Sequence, residues 1–415
     1  MQNDRVIVLG SGLSVAAAAR AVITAGRAVT VIEEREPVST PAIGDAEWYS
    51  AWSPGGDEAI GRLATAGIDR LEAIHLESGG AFHCNRRGQL FVTRRPDVAK
   101  LLRNAAGRQA AAGGGPLREH TGAEWYLPAP AEGFRGVPNG FDLFEGGTLR
   151  LIFPFVSTDA VLGLEVRRAG WIDARALRRW LLTTIRALGG AVMPDAITSI
   201  ECQGDAKWIV TVASGVRVEG SALVLAGPKA RTLLRRAGLE LSWFDGSRVI
   251  GHLDRGERLL DPVAPLVVSV ETVTGEWGSE LGFGLPLLLQ ADDGGLRLES
   301  LAGGPIRPDQ VMALGELMLR QLSAIVPALS TKRGPPGSYS VTSAPLSLPS
   351  DLRPMIGMVD RRGCYLMTGL GPGVSFLFAA ADILGAYLGG HPLPQIAPAF
   401  APARLVTAPS RVLPG

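Results

Sequence analysis

The sequence predicts an α/β protein built from two kinds of region, and three observations predict it. First, the apolar run Val6-Ile7-Val8-Leu9 leads into Gly10-Ser11-Gly12, an alanine-rich helix, and a second apolar run at 29–32 that ends on Glu33. Second, an apolar run meets a glycine turn and then a helix twice more, at 222–228 and at 364–374. Third, residues 248–303 read mostly as strands and lack glycine turns of that kind. The first two patterns suit strands buried on both faces of a parallel sheet, and the third suits antiparallel packing.

The opening βαβ unit carries the sharpest chemical signal. Two glycines at the crossover let the backbone approach a pyrophosphate, whose charge rests on free N–H groups at the helix N-terminus. Leu13 and Ser14 begin that helix. Glu33, followed by Glu34 and Arg35, stands about 20 residues on, where a carboxylate accepts from ribose hydroxyls. One position departs from the fingerprint. Its third small residue is due at 15, and this chain has Val15; Ala16-Ala17-Ala18-Ala19 supply small residues one place later. A buried βα unit with no ligand is the alternative, and the full order of strand, turn, helix, strand and acid favours dinucleotide binding over it.

The 415 residues suffice for two domains and a large core. With 46% hydrophobic residues, 20% charged residues and a formal net charge of +1, nothing electrostatic favours a nucleic acid or a membrane surface. Cys84, Cys202 and Cys364 have no metal-ligand spacing; they read as free thiols in a reducing compartment, with no metal expected. The first strand starts close to Met1, which leaves no room for a signal peptide. The apolar stretch 374–388 is interrupted by Asp382 and is short for a span. A cytoplasmic protein without a membrane span is expected.

Residues 34–56 look irregular and contain Trp48 and Trp52. A helix is expected over 57–75, with Ile60, Leu63, Ile68, Leu71 and Ile74 on one face. Residues 81–84 and 89–92 read as strands joined by a hairpin at Asn85-Arg86-Arg87-Gly88. A helix from Pro96 stops at Gly113-Gly114-Gly115-Pro116, and a loop-rich segment follows to 144. Asp173 is placed to cap a helix expected to carry Leu177, Trp180, Leu181, Ile185 and Leu188 on its buried side. Strands are expected at 196–201, 208–212 and 216–218, and a helix from Pro308 carries Val311, Leu314, Met318, Leu322 and Ile325 in phase.

The ordered set of motifs resembles the flavin-dependent amine oxidoreductases of the D-amino-acid oxidase, sarcosine oxidase and glycine oxidase superfamily. The residues that carry the likeness are Gly10-Ser11-Gly12 with Glu33, Gly170-Trp171-Ile172-Asp173, and the run 222–228. Asp351-Leu352-Arg353-Pro354-Met355-Ile356-Gly357 and Thr368-Gly369-Leu370-Gly371-Pro372-Gly373 complete it, so that it covers nearly the whole chain. The resemblance implies a Rossmann-type FAD-binding domain assembled from residues 1–80, 165–240 and 340–415. It implies a mixed, partly antiparallel-sheet substrate domain from 81–164 and 241–339.

By the same resemblance, non-covalent FAD is held by Gly10, Ser11, Gly12, Leu13, Ser14, Glu33, Glu34 and Arg35, with Ile197 near the adenine and Ala226, Gly227 and Pro228 at the second turn. Trp52 and Ser53 fall in the segment that passes the flavin ring. Gly369, Leu370, Gly371, Pro372, Gly373 and Val374 face its N1/O2 edge, where negative charge develops on reduction. The activity implied is oxidation of a C–N bond in a small amine or amino-acid-like substrate by hydride transfer to the flavin, with the electron acceptor left open. A neutral amine needs no dedicated base. Of the five histidines, His252, in a substrate-domain strand, is the one worth testing.

Two departures bear on the substrate. Many relatives that bind amino acids carry an arginine just before the D-x-x-P-x-x-G motif, paired bidentately with the substrate carboxylate. Here the stretch is Ala344-Pro345-Leu346-Ser347-Leu348-Pro349, with Leu346 at that position and Arg353 the candidate to substitute for it. Ala226-Gly227-Pro228 likewise replaces an alanine-glycine-alanine turn. A bulkier or less charged substrate is therefore open. The lysines, Lys100, Lys207, Lys229 and Lys332, fall in no strand placed over the ring, which favours a dehydrogenase over an oxidase. Two further readings stand beside this one: a flavoprotein subunit without its own amine turnover, and a biosynthetic flavoenzyme that desaturates a C–C bond.

Overall fold

The computed structural model describes residues 4–34, 46–52, 57–130, 133–204, 207–253, 259–261, 263–271, 273–274, 278–279, 284–290, 295–331, 339–371 and 373–405. The chain opens with β1 (Arg5–Gly10), α1 (Gly12–Thr24), β2 (Ala28–Glu33), β3 (Ala46–Ser50) and α2 (Glu58–Glu77). It continues through β4 (Gln89–Thr93), α3 (Pro96–Gln109), β5 (Leu117–His120), β6 (Phe141–Glu145), α4 (Gly146–Ile152), β7 (Leu162–Val166) and β8 (Ala169–Asp173). Next come α5 (Ala174–Ala187), β9 (Ala191–Pro194), β10 (Ile197–Gln203), β11 (Lys207–Val212), β12 (Arg217–Gly220), β13 (Ala222–Ala226) and α6 (Ala230–Arg236). The chain then runs through β14 (Trp243–Leu253), β15 (Leu266–Ser269), β16 (Val273–Thr274), β17 (Gly278–Ser279), β18 (Leu287–Gln290) and β19 (Leu296–Ala302). It closes with α7 (Val311–Ile325), α8 (Ala328–Thr331), β20 (Tyr339–Pro349), β21 (Met355–Asp360), β22 (Cys364–Thr368) and α9 (Leu377–Gly389).

A six-stranded sheet takes the order β21-β22-β13-β1-β2-β9. All neighbours in it are parallel except the edge pair β21–β22. Both faces are covered, which explains the unbroken apolar runs. Val6 and Val8 pack with α1 and α9, while Ile7 and Leu9 pack with Trp208 and Val210 of the three-stranded sheet β10-β11-β12. Val15 is accommodated by a glycine rather than by its own smallness. Gly10 has φ +136, and a Cβ there would stand 2.0 Å from the Ala226 carbonyl oxygen and 2.9 Å from Val15 Cγ2.

The second sheet has nine strands in the order β20-β14-β19-β18-β15-β4-β7-β6-β5. One face packs Leu90, Val249, Leu288 and Leu298 on Met318 and Leu322 of α7. The opposite face carries Phe91, Leu266, Val268 and Leu287, packed with Trp52 and Trp171.

Both acidic caps form: Asp57 accepts from Ile60 N–H at 3.0 Å, and Asp173 accepts from Ala176 N–H at 2.8 Å. The hairpin expected at 81–92 does not form. β4 pairs with β7 and β15, and Cys84 makes only an isolated bridge to Ile172. Its polar turn residues are tertiary anchors instead: Asn85 Oδ1 accepts from Trp171 N–H at 3.3 Å, and Arg86 pairs with Glu72 at 2.6 Å. The loop-rich segment ending at 144 contains β5 and β6, one edge of the large sheet. β20 lies along the full length of β14, from Trp243↔Pro349 to Leu253↔Tyr339, so 340–349 belongs to the large sheet rather than to the segment 340–415. Among the described residues, no helix is long and apolar enough to cross a membrane, and no cluster of His, Cys, Asp or Glu is suited to a metal.

Candidate active site

The register of the parallel sheet brings the glycine bends together. Gly10 pairs with Ala226, and Ala226 pairs with Met367, so β1, β13 and β22 end level with one another. Gly227 N–H donates to the Met367 carbonyl at 3.1 Å, and the Thr368 hydroxyl donates to the Gly227 carbonyl at 2.9 Å. A Cβ at Gly227 would stand 3.0 Å from the Ser11 carbonyl oxygen, which ties the first and second turns together. Gly12 (φ +77) and Gly371 (φ +69) adopt left-handed backbone with no atom within 4 Å of a would-be Cβ. Leu13 and Ser14 are half-buried in the first turn of α1, which has neither an acidic residue nor a side-chain cap. Open space beside uncapped N–H groups fits the diphosphate of a dinucleotide.

A second group of residues gathers at the end of β2. Glu33 accepts from Gly12 N–H at 3.3 Å and forms an ion pair with Arg178 of α5. Glu34 pairs with Arg236 at 3.2 Å and with Lys229 at 3.5 Å, and Arg236 also donates to the Ile197 carbonyl at 3.0 Å. Glu33, Glu34 and Ile197 therefore share one corner with three cations that the sequence pattern did not single out. Pro228 is exposed at the start of the turn into α6. Arg35, Ser53 and Pro372 lie outside the described residues.

β3 links the C-terminal glycine turn to the large sheet. Val374 N–H donates to the Trp48 carbonyl at 2.9 Å, and Ser50 N–H donates to Ser375 Oγ at 2.9 Å. Gly373 is required there, because a Cβ would meet the Trp48 carbonyl oxygen at 2.4 Å. Leu370 and Val374 are buried, and Gly369 packs on Pro349. Backbone at 48–50 therefore lines this turn. The Trp52 ring instead stacks edge-on against Phe91 (5.2 Å) and Phe141 (6.0 Å) in the core beside the large sheet.

The side chain of Glu47 connects β3 to the large sheet. Arg248 on β14 donates to Glu47 through Nη1 (3.3 Å) and Nη2 (2.9 Å). It donates to Glu299 on β19 through Nε (2.7 Å) and Nη2 (3.0 Å). Arg297 binds Glu299 at 2.9 Å and donates to the Ala46 carbonyl. Burial disfavours charge on Glu299, yet Arg248 and Arg297 hold its carboxyl below the usual range. Strand alternation sets Arg248, Ile250 and His252 on one face, beside Glu299 and Arg297 of the paired strand.

His252 stands opposite Arg297 and Ser340. Burial and the Arg297 charge both lower its imidazole below the ordinary value, and its buried Nε2 has no hydrogen-bond partner. Leu346 lies opposite Gly246 on the adjoining strand. Arg353 is at the surface, paired with Asp57 at the head of α2. The Glu47–Arg248–Glu299–Arg297 network was the main omission of the sequence analysis. Its signal is alternation, in that Arg248 and His252 are spaced by four on one strand and Arg297 and Glu299 by two on the other, with apolar residues between them.

Glycine bends at the carboxyl edge of a parallel sheet, with an acid closing the second strand, define the dinucleotide-binding class. The chain belongs to the DAO family of FAD-dependent oxidoreductases, whose model matches residues 5–387, and FAD is the cofactor of that family. Three solved structures share its fold. L-proline dehydrogenase from P. horikoshii is 16% identical with a TM-score of 0.70, the match covering 97% of this chain and 98% of that one. Iminodiacetate oxidase from Chelativorans sp. BNC1 is 18% identical with a TM-score of 0.71, covering 96% and 99%. Glycine oxidase from Geobacillus kaustophilus is 15% identical with a TM-score of 0.71, covering 96% and 98%. A comparison of the sequence with curated proteins finds no match.

Proposed function

We propose that the protein oxidises a C–N bond in a small amine or amino-acid-like molecule to an imine, which water then hydrolyses. FAD, when bound, supplies the two-electron acceptor for the hydride that leaves the carbon beside nitrogen. The observation that carries this reading is the convergence of the bends at Gly10, Gly227 and Gly371 at one sheet edge, joined through β3 to a charged sheet face. Gly12, Leu13 and Ser14 would hold the diphosphate without a covalent bond. Glu33 would take the ribose, Ile197 would lie near the adenine, and Gly371, Gly373 and Val374 would border the flavin ring. The three neighbours described above have names that point to amino acids and related amines, in keeping with this choice.

The remaining chemistry belongs to this chain's own residues. A neutral amine would retain the lone pair that closes the C=N bond, while Phe91, Leu266 and Val268, buried with Val98 and Leu102 of α3, hold the large sheet in place. The acceptor is better read as something other than oxygen. Lys229 is engaged by Glu34, Lys100 lies on α3 and Lys207 on β11, and none of the three stands on the covering face. Anaerobic mixing of the FAD-loaded protein with a panel of amines and amino acids tests the proposal. Bleaching of the flavin by at least one of them is expected, and a fully loaded protein that none of them bleaches overturns it. Slow reoxidation by air is expected of the reduced enzyme, and rapid reoxidation would make it an oxidase.

A further inference from the structure

The covering face carries charge, but that charge is already cancelled from within. Two cations, Arg248 and Arg297, meet two anions, Glu47 and Glu299. Of the five guanidinium N–H groups that an arginine has, Arg248 commits four to carboxylates. Both of its bidentate edges are thereby used, and no fork remains for a third carboxylate. Arg297 is 5% exposed and Glu299 3%, so this part of the network is closed to solvent. Among the described residues of β14, β19 and β20, the positions in step with Arg248 hold no arginine besides Arg297 and no lysine. Burial and the Arg297 charge both disfavour a positive charge on His252.

The network stands next to the turn assigned above to the ring. Glu47 precedes Trp48, whose carbonyl accepts from Val374 N–H at 2.9 Å. A carboxylate arriving here would face Glu47 and would have to detach it from Arg248, leaving one of two anions without its partner. An uncharged substituent meets no such obstacle, and half-buried Leu346 on the adjoining strand offers it apolar contact.

We propose that this face selects amines whose reacting carbon bears no free carboxylate, and that Glu47 enforces the choice by occupying Arg248. This rests on the reading of the site as one for C–N oxidation. The FAD-loaded protein is mixed anaerobically with matched pairs that differ only by a carboxylate on the reacting carbon: proline and pyrrolidine, phenylalanine and phenethylamine, alanine and ethylamine. The decarboxylated member is expected to reduce the flavin at least tenfold faster in the pairs that react. Equal rates, or a faster amino acid, overturn the inference while leaving C–N oxidation in place. If no member of any pair bleaches the flavin, C–N oxidation and the inference fall together.

A second measurement does not depend on turnover. Acetate and benzoate are titrated against the oxidised flavin spectrum of the wild type and of Glu47→Gln, with flavin content and unfolding temperature as controls. Freeing Arg248 is expected to tighten carboxylate binding at least tenfold in the variant, and unchanged binding overturns the role given to Glu47. Should Glu47→Gln fail to fold, Glu47→Asp withdraws the carboxylate from the guanidinium and is judged by the same criterion.

Discussion

The carboxyl edge of the six-stranded sheet and the polar face of the nine-stranded sheet are built from different atoms. The edge presents backbone: at Gly10, Gly12, Gly227 and Gly371 the chain bends at positive φ and carries no side chain. The face presents side chains, with Arg248, Arg297, Glu47 and Glu299 holding one another at 2.7 to 3.6 Å. An edge of the first kind tolerates change until a Cβ enters it. A face of the second kind can be retuned by one substitution while the strands beneath it stay paired. One protein thus sets a cradle made of backbone beside a surface made of side chains. The two regions should respond differently to mutation.

The largest expected effect is at the edge. In Gly10→Ala the new methyl meets the Ala226 carbonyl oxygen at 2.0 Å with φ at +136, and a loss of about 5 kcal/mol is expected in urea unfolding. A loss below about 1 kcal/mol would show that the edge is not as rigid as its geometry implies. On the face, Glu299→Ala leaves Arg248 and Arg297 sharing Glu47 alone, and about 4 kcal/mol is expected by the same measurement. Glu299→Gln, which keeps the shape and two hydrogen-bonding atoms, should lose less.

An acid without a balanced network provides the next contrast. Glu165, on the other side of the large sheet, is fully buried, and burial, only partly offset by Arg167, pushes it up to about 7 from 4.5. The folded protein therefore binds this proton more tightly than the unfolded chain does. The associated stability is complete below about pH 4.5 and is lost as pH rises through about 7, for up to about 3 kcal/mol. Unfolding free energies measured from pH 4 to 8 should fall across this window, and Glu165→Gln should flatten the fall. The smallest effect on stability is expected at Gly12→Ala, about 1 kcal/mol of backbone strain with no clash. Yet FAD affinity, read by fluorescence titration, should weaken at least tenfold, because the methyl enters the open space.

Legibility in the sequence divides along the same line. The edge could be read because a glycine in a βα turn reports a local backbone demand, and local order preserves it: Gly10-Ser11-Gly12 and the turns at 227 and 369–373 all sit where strands end. Helix caps at Asp57 and Asp173 were readable for the same reason. The face leaves a trace of alternation in its strands, but not its pairing. Glu47 and Arg248 are 201 residues apart, and only the pairing of β14 with β19, together with the docking of β3, makes them neighbours. Asn85-Arg86-Arg87-Gly88 misled in the opposite sense. Its residues have turn chemistry, but buried contacts to Trp171 and Glu72 determine their place. Arg178 escaped notice because it lies on the exposed-looking side of an amphipathic helix, where an arginine is ordinary until Glu33 is seen beside it.

The strand order β22-β13-β1 also governs how the molecule can be made. Val6 is zipped to Ala222, and Leu223 to Cys364, so the central sheet joins the beginning, middle and end of the polypeptide. Contacts of such sequence separation are slow to form, because long loops must close before any pairing rewards them. During synthesis β1 and β2 can pair early, but β1 must wait for the strand at 222–226, and that strand for the one at 364–368. A nascent chain stalled before residue 364 would hold β1 between β2 and β13 but leave β13 with one edge unpaired.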